Sequence, residues 1–242
     1  RFPPARSQEA RNKGFNINGW LVLDKIQGMT STQAVGMGKR LFQARKTGHA
    51  GTLDPLATGI LPMAFGEATK TVPYVVGGAK AYRFTVRWGD ERDTDDAEGR
   101  TIQQSAERPA QRAIEQATLG FIGEILQTPP KYSAIKVDGE RAYDLARDGE
   151  NVELQARPVV IDRLALVEMP DADTAVFEAE CGKGTYVRAI ARDMGRMLGC
   201  FGHVIQLRRT RVGPFDESQA VTVGQLHALA EAAMTPEGPN QE

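Results

Sequence analysis

The amino-acid sequence predicts an α+β fold built on a mostly antiparallel sheet. Residues 81–88 ("AYRFTVRW") alternate between apolar and polar side chains, which is the period-two pattern of a half-buried strand. Residues 184–199 ("GTYVRAIARDMGRMLG") instead place apolar side chains along one face of a helix. Strands and helices follow one another without regular βαβ alternation, so a doubly wound parallel sheet is not favoured.

The first half of the chain predicts two strands and two helices. "INGWLVLDK" (17–25) is typical of a buried strand that ends in polar residues. "TSTQAVGMGKRLFQARK" (30–46) begins with a Thr-Ser cap and predicts a helix despite its two glycines. After the strand at 81–88, "ERPAQRAIEQATLGF" (107–121) predicts a helix with Pro109 in its first turn.

The second half begins with a segment that does not look like core. Residues 127–154 are punctuated by Pro-Pro and Asp-Gly pairs and interleave basic with aromatic side chains, so we expect a projecting hairpin and helix there. The remaining elements are expected as strands and helices at 157–169, 174–181, 184–199, 203–213 and 222–233.

Composition excludes several classes of protein. A chain of 242 residues with 41% hydrophobic and 25% charged residues is typical of a globular protein. No apolar run is long enough for a membrane-spanning helix, and the first residues lack the apolar core of a secretory signal, so we expect a cytoplasmic protein. Cys181 and Cys200 are not in CxxC spacing and the three histidines are scattered, so no metal site is expected.

Positive charge is concentrated in two segments although the formal net charge is −1. Residues 1–50 have a balance of +7 and residues 181–213 a balance of +6. Arg188, Arg192 and Arg196 form an i, i+4, i+8 stripe within the second segment. The two segments indicate either a surface that binds a polyanion or a pair of solvated helix faces, and charge alone does not decide between them.

Short motifs for phosphate and calcium binding fail on spacing. "GMGK" and "GKGT" lack the earlier glycine of a P-loop, which would fall at Gln33 and Phe177. "DTDDAEG" has Glu98 where a calcium loop beginning at Asp93 needs glycine. An acidic surface turn is the better interpretation of that stretch.

The segment "GHAGTLDPLATGILP" (48–62) surrounds one carboxylate, Asp54, with glycines and prolines. An Asp-Pro pair often only initiates a turn, with the carboxylate bonded to backbone N–H groups. Glycines on both sides also permit close approach of a ligand, and His49 lies five residues upstream. From composition alone, a turn and an active-site loop both remain open.

Five sequence segments, this loop among them, follow one another in the order of the motifs of the TruB family of tRNA pseudouridine synthases, and together they resemble that family. They run from about Asn18 to Gly213 and cover most of the chain. The segments are "NGWLVLDKIQGMTS", "GHAGTLDPLATGILPMAFGEATK", "KAYRFTVRWGDERDTDDAEG", "TPPKYSAIKVDGERAYDLAR" and "GKGTYVRAIARDMGRMLG" with "HVIQLRRTRVG".

The resemblance implies a pseudouridine synthase fold: a mixed, mostly antiparallel sheet flanked by helices and loops, in a single domain over 1–242. A thumb is expected at about 127–154, and the C-terminal RNA-binding extension of bacterial members is expected to be absent or shortened. Asp54 matches the catalytic aspartate, Arg188 the arginine that pairs with it, and Tyr82 the tyrosine that stacks on the flipped uracil. The implied isomerisation needs neither a cofactor nor a metal.

The implied partner is tRNA, bound through its T arm and elbow by a monomer. The family's target is nucleotide 55 in the TΨC loop, which must be flipped out of its stack. His49 matches the residue that enters the vacated space, and Tyr186 and Leu207 match pocket residues. Lys25, Lys131 and Arg141 are expected to bind RNA, together with the basic segments.

Two other functions remain open from the sequence. A tRNA-binding or tRNA-folding chaperone would use the basic surface and the thumb, with catalysis incidental. A hydrolase that releases uracil would share the base flipping and the carboxylate. Asp54 with its matched partners favours the isomerase.

Overall fold

A computed structural model describes residues 14–133, 136–137, 140–141 and 154–234. They form two compact units. The first unit contains the described residues up to Gly77 and those from Arg211 onward, and the second contains the described part of Gly78–Thr210. The expectation of a single domain over 1–242 stays a prediction.

The described elements are named in chain order. They are β1 (Gly19–Lys25), α1 (Ser31–Leu41), β2 (Thr47–His49), β3 (Thr58–Phe65), α2 (Val72–Gly77), β4 (Lys80–Trp88), β5 (Asp90–Arg92), β6 (Thr101–Gln104), α3 (Gln111–Leu119), β7 (Gly123–Gln127), β8 (Lys136–Val137), β9 (Glu140–Arg141), β10 (Arg157–Asp171), β11 (Thr174–Cys181), α4 (Val187–Met197), β12 (Gly202–Val212), β13 (Phe215–Asp216), β14 (Ala220–Val221) and α5 (Val223–Met234). Short 3₁₀ turns lie at Gly66–Thr71 and Glu217–Gln219.

The sheet of the first unit is centred on β1 and β3. β1 pairs antiparallel with β3, β2 pairs with the end of β3, and β14 pairs parallel with β1. Helix α1 begins with a capping box, in which the Thr30 hydroxyl accepts from the Gln33 N–H and the Gln33 side chain accepts from the Thr30 N–H. Apolar side chains of the first unit form a buried cluster: Val22, Ala50, Ile60, Val75 and Val212.

The second unit holds a larger sheet in the order β12-β4-β11-β10-β7. β4 pairs antiparallel with β11, β11 with β10, and β10 with β7. The predicted alternation of β4 is confirmed, because Tyr82, Phe84, Val86 and Trp88 are all buried. The ring of Phe84 stacks on that of Phe177 with centroids 5.4 Å apart. The predicted α+β class with a mixed, mostly antiparallel sheet is therefore confirmed.

Several element boundaries differ from prediction, and helix α1 ends at Leu41 although a helix was predicted as far as residue 46. Helix α3 begins at Gln111, so Pro109 precedes the helix and does not lie in its first turn. The segment at 48–62 is also less of a loop than expected, because β2 and β3 occupy its two ends. The predicted hairpin and helix at 127–154 fall mostly outside the described residues, which there include the short pair β8–β9.

Candidate active site

The loop that carries Asp54 is fixed by its backbone. In the first unit, the Ser31 hydroxyl accepts from the Leu53 N–H at 2.9 Å and lies 3.2 Å from the Leu53 carbonyl, to which it donates. The Gly28 N–H donates to the Pro55 carbonyl at 2.8 Å, and the Ala57 N–H to the Asp54 carbonyl at 3.0 Å. Main-chain groups on both sides of Asp54 are thus held by hydrogen bonds, as a precisely placed side chain requires.

The side chain of Asp54 differs in exposure from its neighbours. Leu53 and Leu56 are buried at 4% and 5% exposure, whereas Asp54 is half-buried. The two leucines therefore anchor the loop in apolar surroundings while the carboxylate keeps access to solvent.

His49 stands at the end of β2, five residues before Asp54. It pairs with Met63 of β3 and its side chain is half-buried. The loop then turns at Gly51, whose φ of +98° is a conformation that side chains disfavour. Strand pairing on one side and this turn on the other fix where His49 lies within the first unit.

Lys25 lies at the end of β1. It is 1% exposed, and its ammonium donates to the carbonyls of Ile26 at 3.0 Å and Met29 at 2.7 Å. The ammonium thereby stabilises the 26–29 turn. The expected RNA-binding role of Lys25 stays a prediction.

Three predicted pocket residues lie in the second unit. Tyr82 of β4 is 9% exposed and Leu207 of the neighbouring strand β12 is 7% exposed. Tyr186 is half-buried at the start of α4, where its N–H donates to the Gln127 side chain at 2.8 Å and its carbonyl accepts from the same amide at 3.2 Å. Sequence reasoning missed Gln127, whose amide fixes the backbone at Tyr186.

Arg188 is buried in the first turn of α4. Its guanidinium donates to the carbonyls of Thr94 at 2.9 Å and Tyr132 at 3.0 Å, and lies 3.8 Å from a carboxylate oxygen of Asp96. Both members of the Arg188–Asp96 pair are 5% exposed in their side chains. The guanidinium is therefore oriented by its partners and largely shielded from water.

The other two arginines of the stripe also pair with acidic residues. Arg192 lies 2.9 Å from a carboxylate oxygen of Asp95, and Arg196 makes a two-point contact with Glu91 that raises the arginine's pKa. The helix thus runs along the 91–96 segment, and each arginine meets an acid of that segment. Burial raises the pKa of Asp95 to about 6, although Arg192 and Arg188 oppose that shift.

These arginine–acid pairs correct two expectations. The "DTDDAEG" stretch is only partly a surface turn, since Glu98 is exposed whereas Asp95 and Asp96 are 4% and 3% exposed. Two arginines of the α4 stripe, Arg188 and Arg192, are buried against those acids and do not form a solvated face, whereas Arg196 stays exposed beside Glu91. The helical spacing of the arginines and the cluster of acids were both visible in the sequence, but their pairing was not.

The described residues contain no group of three or more histidine, cysteine or acidic side chains placed to hold a metal ion. Burial raises the pKa of both Cys181 and Cys200 to about 11, so these thiols stay protonated. Among the same described residues, no helix is long and apolar enough to span a membrane.

Comparison with known proteins assigns the family. The model "TruB family pseudouridylate synthase (N terminal domain)" matches residues 39–187, more than half of the chain. The chain belongs to the TruB family. A second model, "tRNA pseudouridylate synthase B C-terminal domain", matches residues 188–237. The resemblance seen in the sequence is thereby confirmed.

TruB-family relatives match most of the chain. A protein of Bradyrhizobium diazoefficiens named tRNA pseudouridine synthase B is 61% identical over 98% of this chain and 69% of its own length. Relatives with the same name from Nitrobacter winogradskyi (61% identical) and Rhodopseudomonas palustris (63% identical) are matched over 96% and 92% of this chain. The chain spans only 65% and 61% of the length of these two.

Solved structures support the pseudouridine synthase fold. A chain in the crystal structure of a Cbf5-Nop10-Gar1 complex is similar, with a TM-score of 0.69 and 29% identity over 87% of this chain and 54% of that chain. A chain of the archaeal box H/ACA sRNP Nop10-Cbf5 complex has a TM-score of 0.67 and 26% identity, over 93% of this chain and 57% of that chain.

The remaining predicted RNA-binding residues differ in what the structure describes of them. Lys131 is exposed at the start of the predicted thumb, and Arg141 lies in β9, where the side chain is outside the described residues. In the first unit, Lys39, Arg40, Arg45 and Lys46 are exposed. The TruB-family roles assigned to Asp54, Tyr82, Arg188, His49, Tyr186 and Leu207 stay predictions.

Proposed function

We propose that this chain isomerises uridine to pseudouridine in the TΨC loop of tRNA, acting as a cytoplasmic monomer. The observation that carries the proposal is the match to relatives named tRNA pseudouridine synthase B, at about 60% identity over nearly the whole chain. A binding-only chaperone is not favoured, because those relatives are named as synthases. Since the chain spans only part of their length, its activity needs a direct test.

The isomerisation of uridine to pseudouridine uses a carboxylate as nucleophile or base and consumes no oxidant or reductant. The N1–C1′ bond breaks, the base turns, C5 joins C1′, and the proton lost from C5 is balanced by one gained at N1. Substrate and product have the same composition, so no oxidant or reductant is consumed. We assign Asp54 as the nucleophile or base, on the grounds that its loop is fixed by hydrogen bonds while its carboxylate stays half-exposed.

Other residues take roles in binding and orientation. Arg188 is assigned the stabilisation of the Asp54 anion, and Tyr82 the stacking on the flipped uracil. Tyr186 and Leu207 are assigned to the apolar wall around the base. His49 is assigned to the space that the flipped nucleotide leaves, where stacking on one base is worth roughly 1–3 kcal/mol.

The decisive experiment incubates the chain with unmodified tRNA and maps pseudouridine by chemical labelling and reverse transcription. We expect product at the T-loop uridine. Asp54→Asn should lower the rate by at least about 10³-fold, because loss of a covalent or basic group removes the reaction path and leaves only binding. The control is Asp162→Asn, which changes an exposed aspartate of β10 and should keep full activity.

Three outcomes would contradict the proposal. Absence of product with wild-type protein would refute the activity, and product at another uridine would refute the T-loop assignment. An Asp54→Asn variant as active as wild type would refute the catalytic role of Asp54. Release of free uracil would indicate the hydrolase instead.

A further inference from the structure

Arg192 joins two segments of the second unit that are distant in sequence. Its guanidinium lies 2.9 Å from the Asp95 carboxylate and donates to the Thr128 carbonyl at 2.7 Å. A third hydrogen bond, at 2.8 Å, goes to Asp193, the next residue of the same helix. Arg192 is 6% exposed, so these bonds form in surroundings where charged hydrogen bonds are strong.

Arg188 repeats this pattern one helical turn earlier. It donates to the Thr94 carbonyl on one side and to the Tyr132 carbonyl on the other. Two successive arginines of α4 therefore bind the same two segments, the 94–96 turn and residues 128–132. Arg188 is assigned to the chemistry, whereas Arg192 has no assigned role.

The stretch between the two carbonyls is stiff. Thr128 and Tyr132 are separated by Pro129, Pro130 and Lys131, and both prolines are buried. Each proline ring fixes one backbone dihedral, so the stretch has little freedom to absorb a shift at one end. We therefore expect a displacement of the Thr128 carbonyl to shift the Tyr132 carbonyl, which Arg188 contacts.

Asp95 is held in an unusual conformation for this contact. Its φ is +62°, a left-handed value that aspartate tolerates better than most residues. Its N–H donates to the Arg92 carbonyl at 3.0 Å, and its carbonyl accepts from the Val204 N–H at 3.1 Å. Strained residues persist only where the surrounding structure determines them, and here the backbone is tied on both sides.

We propose that Arg192, held by Asp95, is a positioning residue: it fixes residues 128–132 against α4 and so keeps the guanidinium of Arg188 in place for the reaction. This inference rests on the proposed function. It assigns Arg192 no contact with the substrate. The Asp95–Arg192 pair acts through Thr128 and the following prolines on the carbonyl that orients Arg188.

The test compares Asp95→Asn and Arg192→Lys with wild type. Asparagine keeps the left-handed preference and the size of Asp95 but removes its charge. Lysine keeps the charge of Arg192 but replaces the planar guanidinium with a single ammonium, which does not reproduce its hydrogen-bond geometry to the two segments. The matched control is Asp193→Asn, which removes a partly exposed partner of Arg192 on its own helix and leaves both ties between segments.

Two quantities are measured on each variant. In single-turnover assays with unmodified tRNA, the rate should fall about 10- to 100-fold in Asp95→Asn and Arg192→Lys, as expected when a reacting group is misplaced. The Kd for tRNA should change less than about 2-fold, because no RNA contact is lost. In hydrogen exchange, peptides that cover 127–133 should exchange faster in both variants and at the wild-type rate in Asp193→Asn.

A pH profile separates positioning from a general loss of structure. The groups that face Asp95 are Arg192 and Arg188 from α4 and Glu91 from β5. Protonation of Asp95 at acid pH should weaken the pair, so the wild-type rate should fall below about pH 6 towards that of Asp95→Asn. Burial lowers the pKa of His203, but this histidine remains in the variant, whose profile should lack the Asp95 step.

The outcomes distinguish this inference from the proposed function. Wild-type protein that forms no pseudouridine contradicts the proposed function. Active wild type with unchanged rates in Asp95→Asn and Arg192→Lys overturns the positioning role. If the hydrogen-exchange rate of residues 127–133 is unchanged in both variants, the Asp95–Arg192 pair does not fix this segment, whatever the activity.

Discussion

At the scale of single residues, Asp95 shows a conflict between function and stability. The proposed pair with Arg192 needs the charged carboxylate, whereas burial raises the pKa of Asp95 to about 6. Between the unfolded pKa and this value, the folded protein binds more protons than the unfolded chain, so the contribution of Asp95 to the free energy of unfolding falls as pH rises. The residue therefore stabilises the fold most when it is neutral.

The fall of this stabilising contribution with rising pH leads to a prediction for Asp95→Asn. From about pH 4 to about pH 7, the stability of wild type should decline relative to that of the variant, by on the order of 2 kcal/mol, because asparagine does not titrate. Urea unfolding across this range measures the difference, and His203 contributes equally to both proteins. A difference that is constant with pH, or that grows in favour of wild type, would contradict the raised pKa.

Single residues also show where sequence reasoning stops. Asp54 could be selected because its constrained loop and the matching motifs are both local in sequence. The pairing of Arg192 with Asp95, and of Gln127 with Tyr186, joins residues that are far apart in the chain. Such contacts depend on how the helix packs on the sheet, and spacing along the sequence does not contain that information.

At the scale of elements, the start of α1 holds the loop of Asp54. Ser31 is buried at 3% exposure, and its hydroxyl serves both backbone groups of Leu53. We predict that Ser31→Ala destabilises the protein by about 1–3 kcal/mol, because the buried Leu53 N–H loses its acceptor. The single-turnover rate should also fall while the Kd for tRNA is unchanged.

Urea unfolding and the pseudouridine assay together check this prediction. The control is Ser218→Ala, in which an exposed serine of the first unit is changed and stability should stay within about 0.5 kcal/mol. Full stability of Ser31→Ala would show that the loop is held by other contacts.

Most of the longer elements were predictable because their patterns are periodic. The strand at 174–181 was predicted at its observed limits, and the period-two pattern located β4 to within one residue. β3 was missed because Gly59 and Pro62 disrupt a strand pattern. Its pairing with β1 along the whole strand overrides those local preferences.

At the scale of the whole molecule, the distribution of charge matters more than the net value of −1. The sequence suggested two basic segments of similar strength, but the structure makes them different. The arginines of α4 are paired with Glu91, Asp95 and Asp96, so much of the positive charge of the second segment is compensated locally. Exposed cations of the first unit, such as Arg45 and Lys46, are better placed to meet phosphates.

The last prediction concerns the salt dependence of tRNA binding. Each phosphate contact that is lost reduces the slope of log K against log salt by about 0.7–0.9, so Arg45→Gln/Lys46→Gln should reduce it by about 1.5. Arg163→Gln, which changes an exposed arginine paired with Glu178, should leave the slope unchanged. Fluorescence anisotropy with a labelled T-arm stem-loop at several salt concentrations measures both. The slope depends only on how many protein cations meet the RNA backbone and not on the RNA sequence. Equal slopes for wild type and the double variant would therefore mean that Arg45 and Lys46 do not contact phosphates.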